Sequence, residues 1–121
     1  MEKETLQILN NYGINAEDVS DKPTTCIDID ATGRMQEIEN LASELGIEVE
    51  DSDIQYMTAI ECVSLIGSVI TIIDFLLKMK KKYGKTLLVG IQSAITKKVI
   101  NIPVDDAIES IIRQHDENSK R

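Results

Sequence analysis

Hydrophobic residues recur at helical spacing in three stretches of the chain, three or four positions apart with polar residues between them. This spacing is typical of amphipathic helices. Helices are therefore predicted over residues 3–12, 35–45 and 108–115. Thr32 is placed to cap the second helix, and Gly46 can end it in the left-handed conformation. Asp105 or Asp106 is expected to cap the last helix.

Apolar and polar residues alternate with a period of two in other stretches, which predicts β-strands. A first strand is expected around residues 25–30 and a short second strand around residues 47–50. Two further runs, residues 86–92 and 97–104, flank a four-residue connection and predict a β-hairpin. Pro103 places the second strand of that hairpin at a sheet edge or limits its length, because proline donates no ladder hydrogen bond.

The longest apolar stretch runs from about Thr58 to Tyr83 and predicts one long helix with a narrow polar stripe. The polar residues in it recur every three or four positions: Glu61, Ser64, Ser68, Thr71, Asp74 and Lys78. A transmembrane helix over residues 57–77 is the alternative. Glu61 and Asp74 argue against it, because each charge would cost up to about 3 kcal/mol near the centre of a membrane helix.

These elements, in the order αβαβαββα, predict an α+β fold. We expect a small mixed sheet with a C-terminal β-hairpin, covered by helices that include the long central one. The length of 121 residues fits a single domain, residues 1–121. A hydrophobic content of 42%, with two Pro and six Gly, excludes a disordered chain.

Cysteine usage and the start of the chain bear on its compartment. Cys26 and Cys62 form no CxxC pattern, so neither a zinc site nor a disulfide framework is indicated. No apolar signal segment follows the first five residues. A reduced, cytoplasmic setting is therefore expected.

Charge is segregated along the chain, whose formal net charge is -8. Residues 1–61 carry 15 acids and three bases, whereas residues 62–100 carry one acid and seven bases. An acidic chain repels phosphate backbones, so a direct nucleic-acid partner is not expected. The segregation fits a protein that binds another protein, with an ordinary solvated surface as the simpler explanation.

The strongest charge feature is a run of seven acids within residues 37–53, where Arg34 is the nearest base. Acids held close together repel one another, and they raise the association rate with a basic protein surface. We predict a binding surface for a basic partner, formed by Glu37, Glu44, Glu48, Glu50, Asp51 and Asp53.

A calcium loop is the alternative use of part of this region. Residues 28–39 match the spacing of an EF-hand loop, with side-chain oxygens at its first, third, fifth and twelfth places and Gly33 at the sixth. The ligands would be Asp28, Asp30, Thr32 and Glu39. Pro23 and the extended pattern before the loop argue against the helix that an EF-hand requires, so no metal is the preferred prediction.

No catalytic constellation is present in the sequence, so we predict a non-enzymatic protein without a cofactor. Gly84, Lys85 and Thr86 match the end of a P-loop, but Met79 stands at the position of the first glycine. The only imidazole, His115, lies on the apolar side of the last predicted helix.

In size, acidity, acidic run and lack of catalytic groups, the chain resembles the immunity proteins of bacterial contact-dependent inhibition and related polymorphic toxin systems. The resemblance implies a cytoplasmic antitoxin that covers the active or substrate-binding surface of a basic toxin, typically a nuclease. Its acidic side chains would replace nucleic-acid phosphates opposite the toxin's Lys and Arg.

Residues 57–115 also resemble the effector-associated constant component domains of bacterial conflict systems, through an expected order of long helix, hairpin and short helix. That resemblance implies an adaptor. Dimerisation of the chain through its aliphatic faces stays open from the sequence.

Overall fold

A computed structural model describes residues 3–14, 24–51, 61–84, 87–92 and 99–119. It confirms an α+β fold. In chain order the elements are α1 (Lys3–Asn11), β1 (Thr24–Asp30), α2 (Met35–Leu45), β2 (Glu48–Asp51), β3 (Cys62–Ser68), α3 (Val69–Tyr83), β4 (Leu88–Gln92), β5 (Val99–Pro103) and α4 (Val104–Ser119).

The five described strands form one sheet in the order β2-β3-β1-β4-β5. Every neighbouring pair is antiparallel, so the expected mixed sheet is wrong. The reason lies in the helical connections. α2 joins two strands that flank β3, and α3 joins two strands that flank β1, so parallel strands never become neighbours. This interleaved β-α-β-β-α-β order is that of the split β-α-β, or ferredoxin-like, arrangement, with α1, β5 and α4 added to it.

The long helix expected from about Thr58 to Tyr83 is wrong in its first part. Strand β3 occupies Cys62–Ser68, and the helix begins only at Val69; residues 58–60 lie outside the described residues. Ser68 is the N-cap of α3, where its Oγ accepts a hydrogen bond from the Thr71 N–H at 3.3 Å. In the parts of the chain that the structure describes, no helix has both the length and the apolar character needed to cross a membrane.

The three amphipathic helices and the antiparallel pairing of the two hairpin strands are confirmed, and Pro103 lies in the edge strand β5. The expected four-residue connection between these strands lies outside the described residues. Gly46 ends α2 with a φ of 73°, as expected. The predicted N-terminal caps of α2 and α4 are wrong. Arg34 occupies the N-cap of α2, whereas Asp105 and Asp106 lie in the first turn of α4 rather than before it.

The core lies between one face of the sheet and α3. Inward-facing strand residues such as Ile29 and Leu65 are fully buried. α3 packs against α1, α2 and α4 as well as the sheet, and it is therefore apolar on almost every side. Its one buried charge, Asp74, accepts a hydrogen bond from the buried hydroxyl of Thr5 on α1. This bond links α1 to the central helix.

The other face of the sheet carries no described helix. Residues that alternate with the buried ones, such as Cys26, Asp28 and Ser64, are exposed or half-buried. We call this side of the sheet the open face.

Candidate partner-binding surface

The five described strands contain acids but no Lys, Arg or His. Their charged residues are Asp28, Asp30, Glu48, Glu50 and Asp51. The described bases instead lie on helices or, for Arg34, directly before one. The charge segregation along the sequence thus becomes a segregation between layers, with an acidic sheet and bases in the helical layer.

The lysines at the end of α3 pair with acids on the three neighbouring helices. Lys80 contacts Asp105 of α4, Lys81 contacts Glu4 of α1 at 3.0 Å, and Lys82 contacts Glu37 of α2. All three pairs are substantially exposed, so each adds little to stability. These lysines also place positive charge at the C-terminus of α3, where it interacts favourably with the negative end of the helix dipole. This basic cluster therefore acts within the molecule.

Glu37, a predicted partner-binding residue, belongs to this internal network. Besides Lys82, its carboxylate accepts a hydrogen bond from the hydroxyl of Tyr83. The guanidinium of Arg34 lies over the Tyr83 ring, 4.4 Å from its centroid. Glu37 therefore faces α3 and stabilises the fold, and the structure separates it from the acids of β2.

A groove of about 470 Å³ lies between α2 and β2. Its acids are Glu39 from α2 and Glu50 and Asp51 from β2. No base lines it among the described residues. Its complete lining is Met35, Glu39, Ser43, Ile47, Val49, Glu50, Asp51 and Val63. The groove therefore combines an apolar floor with an acidic rim.

Helical spacing explains the α2 side of the groove. Met35, Glu39 and Ser43 are four residues apart and so lie along one flank of the helix. Glu37 and Glu44 lie on the other flank, toward α3. Glu44 lines a separate groove there with Lys78 and Lys82. One helix thus divides the acidic run between two surfaces.

The remaining predicted acids fall in different places. Glu48 and Glu50 are exposed on β2, where Glu48 pairs in register with Ile66 and Glu50 with Ser64. Asp51 is exposed at the end of the same strand. Asp53 lies outside the described residues. The structure therefore brings Asp51 to the α2 side of the groove and directs Glu37 and Glu44 toward α3. Glu50 also lines the groove, but it alternates to the open face, where it pairs in register with Ser64, and Glu48 lies on that same face of the edge strand.

A row of polar side chains crosses the open face next to this edge. Glu50, Ser64 and Asp28 occupy paired positions on three adjacent strands. The Ser64 hydroxyl donates a hydrogen bond to Asp28 Oδ1 at 2.6 Å. Burial, and then the negative charges of Asp28 and Glu50, raise the pKa of the Cys26 thiol, while a hydrogen bond with Ser64 opposes the rise. Cys26 is therefore held as a weakly nucleophilic thiol.

The four residues of the calcium alternative do not form one ligand set. Asp28 is bonded to Ser64 on the neighbouring strand, and Asp30 Oδ1 accepts from the Thr32 backbone N–H at 3.0 Å. The Thr32 hydroxyl accepts from the Glu61 N–H at 2.9 Å, while Glu39 lies in the α2–β2 groove. Within the described ranges, no group of three or more His, Cys, Asp or Glu side chains is arranged to hold a metal ion.

Glu39 is the groove residue that the predicted binding set omitted. Its position four residues after Met35 and four before Ser43 was a usable signal for a shared helix flank. The sequence could not show that this flank faces β2. Comparison with models of protein families, with curated proteins and with solved structures finds no match to this chain.

Proposed function

We propose that this chain is a non-enzymatic, cytoplasmic immunity protein that neutralises a basic bacterial toxin, a nuclease being the best fit. The observation that supports this most is the acidic groove between α2 and β2, whose rim carries Glu39, Glu50 and Asp51 and no described base. In this proposal the groove binds the surface with which the toxin holds its nucleic-acid substrate. The carboxylates of Glu39 and Asp51 occupy the places of phosphates in the groove, and Glu50 extends the acidic surface onto the adjoining open face.

The groove suits this role because it offers both attraction and contact area. The acidic rim attracts a basic surface over a distance and raises the association rate. The apolar floor, which includes Met35, Val49 and Val63, gives the stems of Lys or Arg side chains something to pack on. Glu37 is excluded from the proposed interface because Lys82 and Tyr83 already bind it.

The function is tested with the toxin encoded directly upstream of this protein's gene. Equimolar addition of the purified protein should abolish the toxin's activity on its substrate. A toxin that stays fully active would show the proposal to be wrong. A neighbouring protein that binds without losing activity would instead favour the adaptor function.

Charge reversal then tests the surface. The triple variant E39K/E50K/D51K should slow association with the toxin by roughly tenfold or more at low salt and reduce its dependence on salt. The single variant E39K is compared with a control that changes the net charge equally, E109K on α4, which packs against β4 and β5 at the far side of the sheet from β2. It should leave the association rate nearly unchanged. Equal effects of both variants would mean that only net charge matters and would exclude the groove as the binding site.

A further inference from the structure

The two edges of the sheet are protected against strand pairing in different ways. An edge strand presents unpaired backbone N–H and C=O groups, and proline or charged side chains on it discourage pairing with another chain. Edge strand β5 contains Pro103. Edge strand β2 contains no proline but three acids in four residues. The protection of β2 is therefore charge alone, which does not exclude a strand of opposite charge.

The hydrogen-bond ladder defines which backbone groups of β2 point away from the sheet. Ala31 N–H donates to the carbonyl of Glu61 at 2.7 Å, one step beyond the paired ends of β1 and β3. Bonded pairs alternate along an antiparallel ladder, so Ser64 of β3 directs its backbone groups to β2. Glu50, in register with Ser64, therefore bonds to β3. The N–H and C=O groups of Val49 and Asp51 point outward.

The outward-facing groups of β2 border the α2–β2 groove. Val49 and Asp51 both line it, and Glu39 lies on the α2 wall opposite them. Outside the ladder, the hydrogen bonds among the described residues include none to the backbone of Val49 or Asp51. The preceding outward-facing residue, Ile47, donates its N–H to the carbonyl of Ala42 at 2.8 Å. The open part of the edge is thus Val49–Asp51.

A strand added at this edge would meet acids on both of its faces, because its side chains would alternate between the two faces of the sheet. On the open face they would lie beside Glu48 and Glu50, which are exposed. On the α2 side they would lie beside Asp51 and Glu39, with Val49 as an apolar contact. Opposite charges on adjacent strands stabilise their pairing, and like charges weaken it. The edge therefore fits a basic strand and disfavours a second β2.

We propose that β2 binds its partner by strand addition. An extended segment of the partner protein, rich in Lys or Arg, pairs with the outer edge of β2 and lengthens the five-stranded sheet by one strand. The outward backbone groups of Val49 and Asp51 supply the hydrogen bonds, and the acids on both faces select basic side chains. The inference rests on the proposed function for the basic charge of the partner, and it adds the form in which that partner binds.

Two synthetic peptides separate strand addition from simple charge attraction. The first alternates Lys and Thr. The second has the same side chains and charge but carries a methyl group on each interior backbone nitrogen, which removes its N–H donors. In titrations at low salt, the first peptide should bind about tenfold or more tightly than the second. Equal affinities, or no binding of the first peptide, would overturn the proposal.

A pair of substitutions at Val49 tests the same bonds from the side of the protein. Val49→Pro removes an outward N–H and leaves the bonds of Glu48 and Glu50 to β3 in place. Val49→Ala is the matched control, because it shortens the same side chain and keeps the N–H. Val49→Pro should bind the unmethylated peptide roughly fivefold or more weakly than Val49→Ala. Circular dichroism verifies that both fold, and equal affinities of the two folded variants would contradict strand addition.

Amide hydrogen exchange locates the added strand. The bound peptide should slow exchange at the outward-facing amides of Val49 and Asp51. It should change little at Glu48 and Glu50, whose amides already bond to β3. Bound peptide that leaves the amides of Val49 and Asp51 unprotected would place its site elsewhere and overturn the proposal.

Failure of this inference can be told apart from failure of the proposed function. If the protein neutralises its toxin while Val49 and Asp51 stay unprotected in the complex, the function stands and strand addition is wrong. If the peptide binds and protects these amides but no toxin is neutralised, strand addition stands and the toxin is not the partner.

Discussion

At the scale of single residues, the open face shows how neighbours on other strands set the chemistry of a side chain. Cys26 lies on β1, yet its thiol is influenced by Glu50 of β2 and Ser64 of β3. Nothing in the local sequence around Cys26 predicts this environment, because the three residues meet only when β3 pairs with both neighbouring strands. The resulting rise in the pKa of Cys26 keeps the group in its thiol form.

This environment predicts a pH dependence for alkylation of Cys26. In a Cys62→Ser background, the rate of reaction with iodoacetamide should rise with pH around a midpoint above that of an ordinary thiol. Glu50→Gln should lower that midpoint, because it removes one of the negative charges that raise the pKa of Cys26. Glu44→Gln, on the flank of α2 toward α3, is the control and should not move it.

The same shift has a defined sign for stability. Because the folded-state pKa is raised, the contribution of Cys26 is fully present below the pKa of the unfolded thiol. It is lost as the pH rises through the folded-state pKa. In the alkylation experiment, a pH midpoint for Cys26 that Glu50→Gln leaves unchanged would contradict the proximity of Glu50 to Cys26.

At the scale of elements, the segment 61–83 shows where sequence patterns stop being sufficient. A buried strand followed directly by a buried helix produces one continuous apolar stretch, and periodicity alone cannot divide it. Val63 and Leu65 do alternate with the less buried Cys62 and Ser64, but that alternation covers few residues. The boundary signal was Ser68, a good N-cap residue before the apolar run of α3.

The cap at Ser68 can be tested by substitution. Ser68→Ala should lower the free energy of unfolding by about 1 kcal/mol, because the Thr71 N–H loses its acceptor at the start of α3. Ser68→Asp should retain most of the stability, since it keeps a capping oxygen and places a negative charge at the positive end of the helix dipole. Urea denaturation measures both. Equal losses in the two variants would show that the cap is not the source of the effect.

The remaining helices were predictable because they are amphipathic. Amphipathicity identifies the buried side of a helix, but it does not identify the residues that would form a binding site. The helices α1 and α2 each have one apolar and one polar face, so their sequences define which side is buried. The sequence does not define which neighbour lies beside each polar flank. That is why the sequence could not show that Glu37 contacts Lys82 and Tyr83 of α3, whereas Glu39, two residues further, lines the groove with β2.

At the scale of the whole molecule, charge has two separate uses. The bases near the end of α3 bind acids on the surrounding helices, whereas all charged residues of the five described strands are acids. Acids of the first kind contribute to folding. Acids of the second kind repel one another and give the sheet a negative surface.

A pair of charge reversals tests this division, because both change the net charge equally. Glu37→Lys should destabilise the fold by about 1–2 kcal/mol, since it replaces the bonds to Lys82 and Tyr83 with repulsion between cations. Glu50→Lys should change stability by no more than about 0.5 kcal/mol, because it relieves repulsion among the strand acids. Thermal melting at low salt compares them. A larger loss of stability in Glu50→Lys than in Glu37→Lys would contradict this division between the acids that pair with α3 and the acids of the strands.

The central position of β1 also has a consequence for the order of events in folding. β1 is an early strand in the chain, but its two neighbours in the sheet are β3 and β4. Asp28, for example, bonds to Ser64, 36 residues further along the chain. During synthesis β1 must therefore wait for β3, which ends at Ser68, before its first edge can pair, and for β4, which ends at Gln92, before its second edge can pair. Such long-range contacts slow folding, and they leave the growing chain with an exposed strand that chaperones or proteases can reach.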